Sequence, residues 1–264
     1  MISFLTDLPL WLSGMLIVGL PTVLAMFGPI LVRRYATLEK LTENNEVAGF
    51  KFAVVGVLYA VLLAFAIIVV WERFSDAENN VATEASAAAN IYRLSQGING
   101  QPGIALRGAL TNYLRAVISD GWPAMERGRA STSAREALDG VYKALLTLES
   151  PERRDTALVS EILRQLDTIT EMRRARLSAA VGLVPGLIWP ILLGGALITI
   201  SYTFFFGSEN LGAQTLMTGM LSIIIFSGLL TAIVIDHPFA GVVKVTPHAL
   251  TRVLEDFGSM PGDH

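Results

Sequence analysis

Residue types able to make and break bonds are sparse in this chain and lack the spacings that enzymes use. There is no cysteine, so thiolate nucleophiles, disulfides and Cys-ligated metals are excluded. The three histidines, His237, His248 and His264, are scattered. No GxxxxGKS/T phosphate loop, GxSxG elbow or HExxH pair is present. The pattern points away from an enzyme, and no cofactor or metal is expected. Asp236-His237 has the chemistry to hold a cation or sense a proton, but neighbours on one turn seldom converge on an ion, and a helix end at the water boundary is an ordinary place for polar residues.

What remains are charges standing at the ends of long uncharged stretches. Lys51 precedes the run Phe52 to Trp71, and Glu72 and Arg73 follow it. Within the run, Phe52, Tyr59 and Ala66 fall on one seven-residue line, and with Lys51 and Glu72 they are the candidate lining of an ion conduit. Arg73 and Asp236 are candidates for its mouth. An aromatic at that spacing serves equally as a lipid-facing or core residue. Gly56, Ala60 and Ala64 form a separate ridge of small residues that lets another helix approach closely. Thr215, Thr218 and Ser222 share a stripe of the last apolar run, where packing is the simplest use because such hydroxyls can bond their own backbone. No acid or base lies deep in any apolar run, unlike a proton-coupled transporter.

The elements that must position these residues follow from composition. The chain has 264 residues, 52% hydrophobic and 16% charged, against roughly 25% charged in an ordinary soluble domain. A net charge of −3 gives no basic surface for nucleic acid. Four apolar blocks stand out: about Leu8 to Val32, Phe52 to Trp71, Val181 to Phe206, and Thr215 to Ile235. Each approaches the roughly 20 residues needed to cross the bilayer core. The first has no basic leader and reads as a retained helix. Pro185 and Pro190 predict a kink near the start of the third.

The polar insert between the second and third blocks has helical composition. Its breakers cluster at Gly97 to Gly103, Gly121 to Ser133, and Ser150-Pro151, which predicts four helices. Trp122-Pro123 is expected to close the second of them, with Trp122 as a core or interface anchor. The second helix repeats Ala105, Ala109, Leu110, Leu114 and Val117; the third Leu138, Val141, Leu145 and Leu148; the fourth, from about Pro151, Leu158, Ile162, Leu166 and Ile169. From Phe50 to Gln96 the sole Gly or Pro is Gly56, so the second span should continue as one helix of roughly 70 Å. The fourth insert helix should likewise run toward the third span. The fold class is an all-α membrane protein divided as 1–72, first transmembrane pair; 73–176, extramembrane helical insert; 177–236, second pair; and 237–264, C-terminal tail.

Four spans place both termini and the insert on one side. Arg73, Arg173, Arg174, Arg176, Lys244 and Arg252 lie there, against Arg33, Arg34, Lys40 and Lys51 opposite. The three arginines flanking the third span favour a cytoplasmic insert, and Arg173-Arg174 could contact lipid head groups or anions, although a solvated helix face explains them as well.

The segment Asn45-Glu46-Val47-Ala48-Gly49-Phe50-Lys51-Phe52, then Gly56-Val57-Leu58-Tyr59-Ala60 and Val70-Trp71-Glu72, resembles the signature of the bestrophin-like family of bacterial membrane proteins. Trp122-Pro123, and Asp236 with Pro238-Phe239 and Gly241, also resemble it. The resemblance implies four spans with a helical domain between the second and third, and a distant relation to bestrophins, which are pentameric ion channels whose second span lines the neck. The expectation is a homo-oligomeric, multi-pass channel of the bacterial inner membrane, in contact with lipid and inorganic ions, with the insert as a vestibule or regulatory ring. The alternative is a membrane-anchored scaffold whose insert binds a partner.

Overall fold

The computed structural model describes residues 9–43, 45–147, 153–182 and 186–259. Among them every regular element is helical. The chain forms two compact units, Met1–Glu72 with Leu183–Asp236, and Arg73–Gly182 with His237–His264.

The first unit holds the apolar helices. α1 (Leu10–Tyr35), α3 (Asn45–Ser95, through Glu72), α8 (Ile188–Tyr202) and α9 (Leu211–Ile235) are long and apolar enough to cross a membrane. The short α2 (Leu38–Glu43) precedes α3, and a 3-10 turn, Thr203–Phe205, continues α8. α1 is not interrupted at Pro21. Residues Met15–Gly19 form a π-turn just before it, and this wider turn accommodates the missing N–H and the ring that would otherwise crowd the preceding carbonyl. Arg33 and Arg34 stand in the last turn of α1, where positive charge complements the helix dipole.

The expected kink in the third block is replaced by a later start. α8 begins at Ile188, so Pro190 falls in the first turn, where no intrahelical N–H bond is lost; Pro185 lies outside the described residues. Asn210 caps α9, its side chain accepting from the Ala213 N–H at 3.0 Å.

The spans pack through small residues. α1 lies along α9, with Met26 against Gly219. The Phe204 ring sits where Gly28 would carry a Cβ. Trp189, Leu192, Ala196, Phe226 and Leu229 make the shared core, with Tyr59 from α3. Thr218 and Ser222 are buried as packing residues, and Thr218 meets the Thr203 hydroxyl at 3.2 Å. Outward faces remain apolar, as in Leu24, Phe27, Leu62 and Leu197, which is what a hydrocarbon solvent permits.

The second unit is a helical bundle. α3 continues unbroken to Ser95, as the lack of breakers dictates, and buries Ala77, Val81, Ala88 and Ile91. α4 (Gln101–Ala116) passes through a π-turn, Val117–Gly121, into α5 (Trp122–Glu126). Trp122-Pro123 therefore continues the helix rather than closing it, by the same π-turn device as at Pro21. The real stop is Gly128, with φ +64°. Its N–H reaches the Met125 carbonyl at 2.8 Å and the next N–H, of Arg129, reaches Ala124 at 2.9 Å, a pattern that needs a left-handed residue.

α6 (Thr132–Leu146) is capped by Ser131 and packs on α4. The buried stripe of α4 centres on Leu106, Leu110, Tyr113 and Leu114. Ala105 is exposed, because the larger Leu106 and Tyr113 gain more by burial. Leu138, Val141 and Leu145 are buried as expected, as are Ile162, Leu166 and Ile169 of α7 (Arg153–Ala179). Ser150, Pro151 and Leu148 lie outside the described residues. α7 stops at Ala179, and Gly182 takes φ +108°, so it does not run on into the third span as one helix.

The segment from His237, set apart as a tail by hydropathy, packs into this same unit. Phe239, Val245, Leu250 and Phe257 join its core. α10 (His248–Ser259) stacks Phe257 on Tyr92 at 3.8 Å between ring centroids, and the Tyr92 hydroxyl donates to the Phe257 carbonyl at 3.2 Å.

Candidate functional site

The transmembrane length of α3 has two unlike faces. Phe52, Tyr59, Leu63, Ala66 and Ile67 are at least partly covered, whereas Val54, Leu58, Val61, Phe65 and Ile68 are exposed. The candidate line Phe52, Tyr59, Ala66 thus faces its own bundle. Phe52 stacks on Tyr202 at 5.8 Å and meets Phe206 edge-on at 5.6 Å. The Tyr59 ring lies over α8 where Gly195 has no side chain; a Cβ there would fall 2.6 Å from Tyr59 Cδ2. Lys51 and Glu72 are exposed at the two ends of the span.

At Gly56 the small-residue ridge meets no helix among the described residues, and an added Cβ would find open space there. Gly56, Ala60 and Ala64 instead border an apolar groove shared with α8 and α9. Of the mouth candidates, Arg73 is exposed in the second unit, and Asp236 is 2% exposed at the end of α9.

At the Lys51 end, the first residue of α3 is tied to the loop that follows α8. The Asn45 side chain donates to the Gly207 carbonyl at 2.6 Å and accepts from the Gly207 N–H at 2.9 Å. A side chain at Gly207 would run into the backbone of Leu41 and Thr42, so glycine is required for this approach. Gln214 fastens the same loop by donating to the Phe206 carbonyl at 2.6 Å. Asn45 opens the motif that carried the family resemblance, and this tie gives it a physical task.

The second unit contains a charge cluster that periodicity did not single out. Glu84 is 0% exposed and Arg176 is 2% exposed. Arg176 Nε donates to Glu84 Oε2 at 2.9 Å and Nη2 donates to Oε1 at 3.0 Å, a bidentate pair. The Tyr113 hydroxyl donates to the same Oε1 at 2.6 Å. Arg176 Nη1 points to Met125 Sδ at 3.1 Å, and the guanidinium carbon lies 4.9 Å from the Trp122 ring centroid, a cation–π contact. Trp122 is itself held by a hydrogen bond from Nε1 to the Val245 carbonyl at 3.2 Å and by edge-on contact with Phe239. The expected anchor role of Trp122 is realised here.

Burial opposes the Arg176 charge, but Glu84 and then Tyr113 more than offset it, so the guanidinium is held protonated above its usual range. Burial, and then Glu84, push the Tyr113 phenol well above 10, against the pull of Arg176. The cluster positions helices rather than transferring protons, since its carboxylate is sealed from water and fully engaged.

Its sequence signal was legible in principle. Glu84 sits at a core step of the series Ala77, Val81, Ala88, Ile91, and Arg176 lies on the stripe of Ile162, Leu166 and Ile169. A charge on an apolar stripe implies a buried partner. Arg176 is therefore sealed and neutralised inside its unit and does not stand as a free flanking charge, whereas Lys244 and Glu126 form an exposed pair and Lys244 keeps its weight in sidedness. Among the described residues, no group of three His, Asp or Glu side chains is placed to hold a metal.

Comparison with known proteins accords with this architecture. The Bestrophin-like domain family matches residues 19–250. No curated protein matches the chain in sequence. Among solved structures, a bacterial bestrophin homologue from Klebsiella pneumoniae superposes with a TM-score of 0.70 at 14% identity, covering 92% of this chain and 98% of that one. A glycine-to-alanine variant of a membrane protein gives a TM-score of 0.72 at 16% identity, covering 95% and 99%. At such identity these structures speak for the fold: four apolar spans with a helical unit between the second and third. With the family pattern running through nearly the whole chain, this membrane protein belongs to the bestrophin-like family.

Proposed function

We propose that several copies of this chain assemble around an axis as an ion channel of the bacterial inner membrane, with α3 lining the conduit and the second unit forming a vestibule or regulatory ring. The observation that carries this reading is the uncovered apolar face of α3. Val54, Leu58, Val61, Phe65 and Ile68 follow one another at three- and four-residue steps and are all exposed among the described residues. Copies arranged about an axis turn such a stripe toward its centre, where it forms an apolar constriction that conducts when wetted. Lys51 and Glu72, exposed at opposite ends of the span, then place a ring of charge at each mouth. Phe52 and Tyr59 support the conduit from behind through their contacts with Tyr202, Phe206 and Gly195, and Ala66 packs against the same core.

Family membership supports the channel reading, and the bestrophin homologue named above shares the fold that it requires. A pentamer follows by analogy with bestrophins, and a cytoplasmic insert follows from Arg73, Arg173 and Arg174. The test is ion flux through purified protein in liposomes under separate chloride and potassium gradients, with empty vesicles as control. Selective flux that rises in Phe65→Ala and changes ion preference in Lys51→Glu supports the assignment. Silence across salts, pH and voltage refutes it, leaving a membrane-anchored scaffold as the reading to pursue.

A further inference from the structure

The groove beside α3 has a volume of about 600 Å³ and is walled by Gly56, Ala60 and Ala64 on one side and Leu221, Ile224 and Gly228 of α9 on the other. That is the size range of small-molecule sites, roughly 300–1,000 Å³. Two residues of the lining carry hydroxyls, Tyr59 and Thr199. They are 5% and 2% exposed, and neither hydroxyl has a hydrogen-bond partner among the described residues. The Tyr59 ring crosses α8 at Gly195, and Thr199 stands one turn further along that helix. Two buried donors without acceptors in an otherwise apolar site leave an unmet demand.

The chemistry of the site selects the occupant. An ion would lose its hydration for two hydroxyls in an apolar wall, too little to repay the cost. A carbonyl oxygen has two lone pairs and can accept from both hydroxyls. Its depth also matters. Tyr59 stands eight residues from Lys51 and thirteen from Glu72, about 12 Å and 20 Å along the helix, well inside a hydrocarbon core about 30 Å thick. The ester carbonyls of a phospholipid stay at the edge of that core. A carbonyl compound dissolved in the hydrocarbon is needed, and a membrane quinone combines a carbonyl-bearing ring with an apolar tail. We propose that this groove binds a membrane quinone, a ring carbonyl accepting from Tyr59 and Thr199 while the tail lies along Gly56, Ala60 and Ala64.

The test titrates the full-length protein in detergent with decylubiquinone and measures bound quinone by its absorbance after separation. Saturable binding is expected. Tyr59→Phe and Thr199→Val, which remove only polar atoms, should each weaken it roughly three- to tenfold. Gly56→Leu, whose side chain enters open space in the groove, should abolish binding while far-UV circular dichroism and elution volume stay unchanged. Ser222→Ala removes an unpartnered hydroxyl outside the lining and should leave affinity as it was. Absence of saturable binding, or full affinity in the Tyr59→Phe/Thr199→Val double variant, overturns the proposal. So does extraction of phospholipid in place of quinone from the site, or a change of oligomer size in Gly56→Leu without quinone binding, which would assign the groove to a second copy.

Discussion

Breaking the Glu84–Arg176 pair on one side should destabilise the protein severely, whereas removing both charges should not. Both side chains are sealed from water, so Glu84→Gln leaves a buried guanidinium without its counter-charge, and Arg176→Met leaves a buried carboxylate held by Tyr113 alone. Removing one partner of a buried pair costs about 3–5 kcal/mol, while replacing both by neutral groups is often near neutral because the desolvation penalties vanish together. At about 2–4 °C per kcal/mol for a chain of this size, each single variant should melt about 6–20 °C lower. The double variant should recover at least about 2 kcal/mol relative to the sum of the singles. The assay is thermal unfolding of the full chain in detergent at one fixed scan rate, followed by circular dichroism, with Trp122 emission as a local probe because the guanidinium lies over its ring. A single variant melting within about 1 °C of the parent, or strict additivity in the cycle, would show that the pair does not carry the bundle.

The same centre makes an alkaline prediction. Tyr113 stays neutral in the fold where an unfolded phenol ionises near pH 10. Its contribution is thus fully present below about pH 10 and is lost as pH rises toward the folded value. Melting curves from pH 8 to 11 should fall more steeply for the parent than for Tyr113→Phe; parallel curves count against the assignment. Gly195→Ala should displace the Tyr59 ring and cost about 1–3 kcal/mol, and Tyr59→Ala in the same chain should relieve part of that loss in the melting cycle. Gly128→Ala should cost about 1 kcal/mol, because φ is +64° there, seen as a melt about 2–4 °C lower. Since the chain has no cysteine, Arg129→Cys gives one labelling site; a membrane-impermeant maleimide should reach it in inverted membrane vesicles and not in intact cells.

Hydropathy made the spans legible, because hydrocarbon leaves a helix few ways to satisfy its backbone. α3 could be read to within a few residues from missing breakers alone. The stop before Thr132 was misplaced because Pro123 is a breaker in an α-helix but tolerable after a π-turn, and nothing local in Val117–Gly121 announces that turn. For the site, the residues of α3 were identifiable but their facing was not. An all-apolar helix has no polar side to orient it, so the phase of Phe52 and Tyr59 was set by distant Gly195 and Tyr202. Glu84 and Arg176 were each readable as a charge on an apolar stripe, but their pairing with one another was not, because a contact across 92 residues leaves no local trace.

The π-turn ahead of Trp122 also governs which alterations the gene can tolerate. A π-turn holds one residue more than the α-turn it replaces, and one residue rotates everything after it by about 100°. Counting from Leu110, Leu114 and Val117, an uninterrupted α-helix would bring positions 121 and 124 to the middle of the buried side; the extra residue advances the phase so that Trp122 and Met125 turn inward to Arg176. Length here is thus under tighter constraint than residue identity. Exchanges such as Ile118→Val should pass nearly unnoticed, and deletion of one codon between 117 and 121 would remove the extra residue and leave the indole and the thioether in phase, whereas insertion of one codon would swing both off the guanidinium at a stroke, without altering a single residue of the cluster.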